Sequence, residues 1–259
     1  DEKAHNIINS ITKELEQMIK FPKSKEKKIY SIENNEISLN SILWTPKFHY
    51  PLYLETEKYL IDNFDTISLG KVCDFKKGNE PGSEFYIDYL DKKDTDVPFI
   101  RTSDLYNYQI DLVPDNFIDI HTYEDLSQNV IPNDILYTKD GKIGELALVT
   151  ESDKAIFGSG IERIRINKEG IKKGLTPEYI FTMLKMDEVG RYNADRYSVT
   201  ASTIPHMREE YIQKIIIPIL DKESINKITE KIKEAFEMIE EKKKLFKECQ
   251  STINSILSI

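Results

Sequence analysis

The sequence predicts an α+β protein in which a strand-rich middle region is flanked by helices. Apolar residues recur at helical spacing near both ends of the chain, in residues 7–19 and 225–256. Between residues 65 and 220, short apolar or alternating runs are instead separated by turn residues, which is typical of strands. We therefore predict a helical lead-in at 1–64, a compact domain at 65–220 and a long spacer or dimerisation helix at 221–259.

Two helices are predicted in the lead-in. The stretch HNIINSITKELEQMIK places apolar residues from Ile7 to Ile19 on one helical stripe. The stretch YPLYLETEKYLIDNF predicts a second helix, because Pro51 stands where the first helical residue would be. A proline and a basic run in FPKSKEKK separate the two helices.

The middle region contains a predicted hairpin, a strand that carries arginines, and a helix with recognisable ends. Asp140-Gly141, between DILYTK and KIGELALV, favours a β-hairpin. In IERIRIN, Arg163 and Arg165 alternate with isoleucines and so share one face of a strand. TPEYIFTMLKM predicts a helix with Thr176 as the N-cap and a proline at the first helical position.

The end of the chain predicts one long helix with an apolar seam. Steps of three and four residues hold over about five heptads, with an interruption at Lys242. The seam comprises Ile225, Ile228, Ile232, Ala235, Ile239, Phe246, Cys249, Ile253 and Ile256. Such a helix either packs along its own domain or forms a coiled-coil arm, which we favour. The partner helix of that arm would lie at 7–19, at 52–61 or in another molecule.

Composition excludes several classes of protein. With 259 residues, of which 39% are apolar and 31% charged, the chain fits a soluble globular protein. No apolar run approaches the roughly 18 residues that span a bilayer. Cys73 and Cys249 are isolated and form neither a zinc motif nor a disulfide framework, which favours a reducing, cytoplasmic setting. The four histidines are scattered, so we predict no metal site. A net charge of −9 argues against a generic nucleic-acid coat but leaves room for local basic patches.

Motifs of catalysis are missing from the sequence. Amino-methylating DNA methyltransferases hold the target amine with an [Asp/Asn/Ser]-Pro-Pro-[Tyr/Phe] loop, and none of the ten prolines here is adjacent to another. Their methyl-donor motif Phe-x-Gly-x-Gly is approached only by FGSG at 157–160, with the wrong spacing. A nuclease motif could begin at the Pro-Asp of 114–115, but carboxylates are too frequent in this chain for that match to decide anything. We predict that the chain is not an enzyme by itself and binds no cofactor.

Cations, hydroxyl side chains and aromatic rings cluster beside the predicted strands and in the segment 191–208. Arginine and lysine suit phosphates and guanine edges, short hydroxyl side chains are adaptable donors, and tyrosine rings can stack on bases. Plainer interpretations exist, since RTSD could close a strand end by an Arg–Asp pair and KDGK could be a solvated turn. Together these groups predict a DNA-binding surface. Its candidate residues are Lys76, Lys77, Arg101, Thr102, Ser103, Lys139, Lys142, Arg163, Arg191, Arg196, Tyr197, Ser198, Thr200, Ser202, Thr203 and His206.

Five stretches carry a resemblance to a known family of domains. They are WTPKFHYPLYLETEKYL, ISLGKVCDFKKGNEPG, VPFIRTSDL, VIPNDILYTKDGKIGELALV and TIPHMREEYIQKIIIPIL. In this order they resemble the lead-in, the opening segment, the Pro-aromatic-aliphatic-Arg strand, the hairpin and the closing segment of target recognition domains. Such domains belong to the specificity (S) subunits of type I restriction–modification systems and to related single-chain restriction–methyltransferases. Asn133 replaces a usual glycine and Ile219 a usual proline, and the resemblance covers residues 42–258.

The resemblance implies a strand-rich DNA target recognition domain joined to a long helix. The domain would recognise one part of a double-stranded target. The helix would set the spacing to a second domain and dock a DNA methyltransferase that uses S-adenosylmethionine. Catalysis, including flipping of the target adenine, would belong to that partner.

One departure from the family leaves alternatives open. A full S subunit carries two such domains, and one is found here. The chain would therefore be a half-subunit that dimerises or, as we favour slightly, the recognition part of a longer enzyme. A coiled-coil scaffold for other proteins and a self-contained nuclease are the competing hypotheses.

Overall fold

The structure, a computed structural model, describes residues 1–22, 29–31, 43, 45–111, 113–200 and 203–257. The predicted α+β class is confirmed. The helices are α1 (Glu2–Ile19), α2 (Pro51–Asn63), α3 (Leu69–Val72), α4 (Ile120–Leu126), α5 (Lys168–Lys172), α6 (Pro177–Lys185), α7 (Tyr192–Tyr197), α8 (Glu209–Ile212) and α9 (Lys222–Leu257). Short helical turns of the 3-10 or π type lie at Pro46–His49, Ser83–Phe85, Thr102–Asp104 and Asp187–Arg191. Among the helices that the structure describes, none combines the length and the apolar character needed to cross a membrane.

Fourteen short strands occur in the described part of the chain, and most are grouped in two four-stranded sheets. The strands are β1 (Thr66–Ser68), β2 (Cys73–Lys77), β3 (Ile87–Asp88), β4 (Val97–Ile100), β5 (Leu105–Tyr106), β6 (Gln109–Ile110), β7 (Asn116–Ile118), β8 (Ile135–Thr138), β9 (Leu146–Leu148), β10 (Ile156–Phe157), β11 (Ile161–Ile166), β12 (Val199–Thr200), β13 (Pro205–His206) and β14 (Ile216–Pro218).

The first sheet has the order β2-β11-β8-β9, and all its pairs are antiparallel. Ile164 of β11 lies opposite Phe75 of β2 and Ile135 of β8. Because neighbouring strands run in opposite directions, the last residues of β2 and β8 lie beside the first residues of β11 and β9. We call this end of the sheet, with Lys77, Gly160 and the connection 139–145, the hairpin end.

The second sheet, β10-β4-β7-β3, packs on one face of the first. Its β10–β4 pair is parallel and its other pairs are antiparallel. Ile100 and Phe157 from this sheet share a cluster with Leu136 and Ile161 from the first, and all four are at most 1% exposed. The pairs β1–β14, β5–β6 and β12–β13 form separate two-stranded ribbons.

The largest core lies on the other face of the first sheet. Ile135 and Tyr137 of β8 belong to this core, whereas Leu136 between them belongs to the intersheet cluster, as the alternation of a strand requires. The helices α1, α6 and α9 cover this face. The rings of Phe181 in α6 and Phe236 in α9 meet edge-on, with their centroids 5.3 Å apart.

Helix α1 runs antiparallel along the first half of α9. The direction follows from two ion pairs, since Asp1 lies 2.9 Å from Lys242 Nζ and Glu14 pairs with Lys227. The predicted partner helix at 7–19 is therefore present in this chain.

Only the first part of the apolar seam of α9 is covered. Its buried members, at most 3% exposed, are Ile225, Ile228, Ile232, Ala235 and Ile239. Further along, Cys249 is exposed, and Ile253 and Ile256 are 55% and 63% exposed. The helix thus packs on its own chain in its first half and presents apolar side chains to the surroundings in its second half.

The predicted N-cap of α6 and the predicted hairpin are confirmed, and an aspartate caps α9. Thr176 Oγ1 accepts from the amide of Tyr179 at 3.1 Å, and Asp221 Oδ1 accepts from the amide of Ser224 at 2.9 Å. The connection between β8 and β9 is longer than the two-residue turn that Asp-Gly favours, because β9 begins only at residue 146. Gly141 in this connection has a φ of 72°, which glycine adopts without strain.

Candidate nucleic-acid interface

The hairpin end of the first sheet brings together three of the predicted segments. The amide of Gly141 donates to the carbonyl of Pro205 at 3.0 Å, which joins the 139–145 connection to the β12–β13 ribbon. Thr102 lies close by, since a Cβ at Gly160 would come within 2.8 Å of its methyl carbon. We call the shared surface the hairpin surface; it comprises Thr102, Ser103 and residues 140–145, 198–200 and 203–206.

Polar side chains of the hairpin surface are accessible to a ligand. His206 Nδ1 lies 2.6 Å from Asp140 Oδ1, and the histidine side chain is still 55% exposed. Lys142, Thr200 and Thr203 are exposed. Other accessible members are Ser103 and the half-buried Thr102 and Ser198. The predicted Ser202 lies outside the described residues.

A cavity of about 400 Å³ opens beside the hairpin surface. The predicted Lys142 and Arg191 line it together with Lys47, which our sequence analysis did not identify. Lys47 reaches this place because the neighbouring Phe48 packs edge-on against Tyr197, with ring centroids 5.6 Å apart. Three cations from distant parts of the chain therefore meet at one cavity, which suits an anionic ligand such as a phosphate.

Carboxylates line the same cavity and offset part of its positive charge. Arg191 Nε lies 3.2 Å from Asp195 Oδ2, and Glu145 is exposed at the rim. Within the described residues, no ion pair neutralises Lys47 or Lys142. These two lysines are therefore the cations that a phosphate can reach without displacing a carboxylate.

Lys139 and Arg163, which the sequence predicted to contact DNA, are buried in the structure. Lys139 is 7% exposed and donates to Glu162 Oε2 at 2.9 Å. Burial raises the pKa of Glu162, and its other oxygen has no hydrogen-bond partner among the described residues. Arg163 is also 7% exposed, and burial, then the neighbouring Arg165, lower its pKa.

Arg163 and Arg165 of β11 are neighbouring cations, and Asp134 provides the carboxylate that offsets their mutual repulsion. Arg165 binds Asp134 through two nitrogens, at 2.6 and 2.7 Å. Arg163 lies near the carbonyls of Gln128 and Asn129, both at 3.4 Å. Both arginines therefore hold the loop before β8 in place.

Arg196 and Tyr197, which were also predicted to contact DNA, lie in the interior as well. Arg196 is 6% exposed, and its Nη1 donates to Glu57 at 2.7 Å. Its guanidinium lies over the ring of Phe48, 4.7 Å from the centroid. Tyr197 is 4% exposed and stacks on Tyr211. These contacts fasten the lead-in to α7 and so position Lys47.

At the end of β4, Arg101 pairs with aspartates, which is the plainer of the two interpretations of RTSD. Its amide donates to Asp104 Oδ2 at 2.8 Å, and its guanidinium reaches Asp104 at 3.4 Å and Asp115 at 2.7 Å. The Arg101 side chain is nevertheless 40% exposed and that of Asp115 is 81% exposed. A phosphate or base edge could exchange with Asp115 at a small desolvation cost.

The two lysines at the end of β2 have different surroundings. Lys76 Nζ donates to the carbonyl of Ser127 at 2.9 Å, which commits it to a structural contact. Lys77 is exposed at the hairpin end, beside Glu162 of β11 in the sheet register. Only Lys77 of this pair is free to approach a ligand at that end.

The groups at the hairpin surface are suited to binding. Cations, hydroxyl groups and an imidazole can contact phosphates and base edges. Within the described part of the chain, no group of three or more His, Cys, Asp or Glu side chains is arranged to hold a metal ion.

Comparison with protein families decides the class of the domain. A model for the type I restriction modification DNA specificity domain matches residues 61–248. The chain belongs to this family. The match runs from α2 through both sheets to the second half of α9, so it includes the hairpin surface. The resemblance found in the sequence motifs is confirmed, and the family is defined by recognition of DNA and not by a reaction.

Three solved structures can be compared with the chain. A chain from work on complex assembly and conformational transition of the type I R-M system has 14% identity and a TM-score of 0.51, over 98% of this chain and 50% of that one. The HsdS subunit from Thermoanaerobacter tengcongensis has 14% identity and a TM-score of 0.47, over 94% of this chain and 48% of that one. The S subunit from M. genitalium has 13% identity and a TM-score of 0.44, over 64% and 37%.

The first of these likenesses shows a shared fold. The present chain spans about half the length of that protein and of the Thermoanaerobacter subunit. No curated relative matches the chain.

Proposed function

We propose that this chain recognises one part of a double-stranded DNA target through its hairpin surface and carries out no chemistry itself. The observation that supports this most is the meeting of segments 102–103, 140–142, 198–200 and 203–206 at one end of a domain of the DNA specificity family. The proposed contacts are Lys77, Thr102, Ser103, Lys142, Arg191, Ser198, Thr200, Thr203 and His206, with Lys47 added and with Arg101 after displacement of Asp115.

The buried members of the predicted set would act indirectly. Lys139, Arg163, Arg196 and Tyr197 make their contacts inside the protein, and Lys76 binds a backbone carbonyl. We propose that they keep the connecting loops in the shape that fits DNA. Substituting them would change stability and binding together, whereas substituting a surface contact would change binding alone.

We also propose that the domain serves a DNA methyltransferase and that this partner carries the S-adenosylmethionine chemistry. In this proposal residues 65–220 recognise the target and residues 221–259 connect the domain to its partners. The family match and the exposed second half of α9 support this division of roles.

An uncovered apolar strip on α9 supports a protein partner. We call Leu245, Cys249, Ile253 and Ile256 the distal seam; Leu245 and Ile253 are each 55% exposed. Of the two alternatives that the sequence left open, this uncovered strip supports the half-subunit that dimerises, and we infer that a second copy of this chain covers it. Sedimentation of the full chain tests this: a dimer that Ile253→Glu dissociates supports the inference, and a monomer at all concentrations contradicts it.

Salt-dependent DNA binding tests the proposed interface. Duplexes would first be selected from a random pool by the full chain, and affinity would then be measured by fluorescence anisotropy over a range of salt. Lys142→Gln is expected to weaken binding and to reduce the slope of log K against log salt by about 1, because one phosphate contact is lost.

Lys173→Gln provides the matched control. Lys173 is exposed and follows α5, beyond the end of β11 that is opposite to the hairpin end. Equal slopes for the two variants would contradict the placement of DNA at the hairpin surface.

A further inference from the structure

A second cavity, of about 260 Å³, lies between the start of α6, the first half of α9 and the end of β9. Asn133 and Leu148 line it, and both stand at the end of the β8–β9 pair that is opposite to the 139–145 connection. The cavity is therefore remote from the hairpin surface, and the proposed DNA contact does not use it.

Carboxylates dominate the charged lining of this cavity. The charged residues are Glu151, Glu178, Glu237 and Glu240, with Lys233 as the cation. Glu240 already accepts hydrogen bonds from Ser152, and it lies 3.4 Å from Lys244. Glu151 and Glu237 are exposed at the rim. An excess of negative charge remains for a ligand.

Glu178 is the member that points to a missing partner. It is 3% exposed, it lines the cavity, and among the described residues no donor or cation contacts its carboxylate. Two other buried carboxylates face cations: Asp134 binds Arg165, and Glu162 binds Lys139. The carboxylate oxygens of Glu178 are open to the cavity rather than enclosed, so a cation in the cavity can reach them. A cation from outside the chain would therefore be stabilised here.

The size and walls of the cavity favour one long organic cation. Its volume is below the roughly 300–1,000 Å³ of small-molecule sites, which suits a single side chain. Leu148 and Phe236 provide apolar walls for an aliphatic stem, and a planar guanidinium can both pack on such walls and bind a carboxylate with two hydrogen bonds. The described carboxylates do not form a metal-binding group.

We propose that this cavity receives an arginine side chain of a partner protein, with Glu178 as its buried carboxylate. The partner would dock on the side of the domain away from the hairpin surface. DNA and this partner could then be bound at the same time.

The test titrates the full chain with N-acetyl-arginine amide and follows the methyl resonances of Leu148 by NMR. N-acetyl-citrulline amide, which has the same shape and no charge, is the ligand control. Glu178→Gln is expected to weaken arginine binding about tenfold, because a charge-assisted hydrogen bond inside the cavity is lost. Glu230→Gln, at an exposed position of α9 outside the cavity, should bind as the wild type does.

Several outcomes would overturn the proposal. They are an equal response to the citrulline compound, a wild-type response of Glu178→Gln, no saturable shift at all, or the same shifts with magnesium chloride alone. If Glu178→Gln does not fold, Glu237→Gln at the exposed rim replaces it, and unchanged binding by that variant counts against the proposal. DNA affinity is measured on the same variants and should stay at the wild-type value, so failure here is distinguishable from failure of the DNA proposal.

Discussion

Lys243 joins α9 to the turn at 150–153 and offers a sharp test of how the long helix is held. Its side chain is 1% exposed. Its Nζ donates to both oxygens of Asp153, at 2.8 and 2.7 Å, and to Thr150 Oγ1 at 3.0 Å. Lys243→Met removes the charge and the donors while keeping most of the volume.

The expected cost follows from what the substitution leaves behind. Burial lowers the pKa of Lys243 against the opposing effect of Asp153, so the pair itself adds little net stability. Without the lysine, the Asp153 carboxylate, which is 8% exposed, keeps only its hydrogen bonds from Thr150. Leaving one member of a buried pair unpaired costs about 3 kcal/mol.

Urea unfolding of the full chain, followed by circular dichroism, measures this loss. Asp153→Asn keeps an oxygen that accepts from Thr150 and serves as the second single variant. The double variant Lys243→Met/Asp153→Asn should lose no more free energy of unfolding than either single variant. The coupling energy between the two residues is then about 3 kcal/mol. Lys244→Met, whose side chain is 63% exposed, should change stability by less than about 0.5 kcal/mol. Additive losses, or a Lys243→Met variant as stable as the Lys244→Met control, would refute the reasoning.

Three further predictions concern stability. Hydrogen bonds from Ser152, which outweigh the raising effect of burial, lower the pKa of Glu240 to about 2. The stabilisation by this carboxylate is complete above its unfolded pKa of about 4.3 and is lost as the pH falls toward 2. The difference in free energy of unfolding between wild type and Glu240→Gln should therefore shrink by about 2 kcal/mol between pH 5 and pH 3, as measured by urea titrations. Arg196→Met leaves the half-buried Glu57 without its partner and should lower the free energy of unfolding by about 2 kcal/mol, whereas a surface-like loss below about 0.5 kcal/mol would contradict its buried role. Gly78→Ala would place a Cβ 2.2 Å from a backbone carbonyl oxygen, so we expect a loss of at least about 2 kcal/mol in thermal or urea unfolding, and a neutral effect would contradict the close approach.

Features with local causes were predictable from the sequence. A threonine or aspartate before an apolar-periodic run caps the helix that follows, as Thr176 and Asp221 do. A proline opens α2, and Asp-Gly lies in the β8–β9 connection. Each of these signals depends on a few neighbouring residues, so no tertiary contact had to be known.

The accessibility of individual cations was not predictable, because it depends on distant residues. Lys139 and Lys142 stand three positions apart in the same connection, yet one is buried against Glu162 and the other is exposed. The partner of Arg196 is Glu57, 139 residues away. Composition identifies a basic segment, and only packing decides which of its charges face outward.

Lys47 illustrates the opposite error, a candidate that the sequence did not single out. It occupies a short turn between Pro46 and His49, far in the sequence from the basic, hydroxyl-rich segment 191–208. Its place in the 400 Å³ cavity arises because Phe48 packs on Tyr197. A tertiary contact between the lead-in and α7 therefore adds a residue to the candidate interface.

The most direct test of the central claim compares the affinity of the full chain for a selected duplex with that for a scrambled duplex of the same composition. Each mismatched base pair costs about 1–3 kcal/mol at a specific interface, so several mismatches should weaken binding at least about a hundredfold at one moderate salt concentration. The account predicts this difference and its loss when Thr102, Lys142 and His206 are substituted together. Equal affinity of the wild-type chain for both duplexes would contradict it.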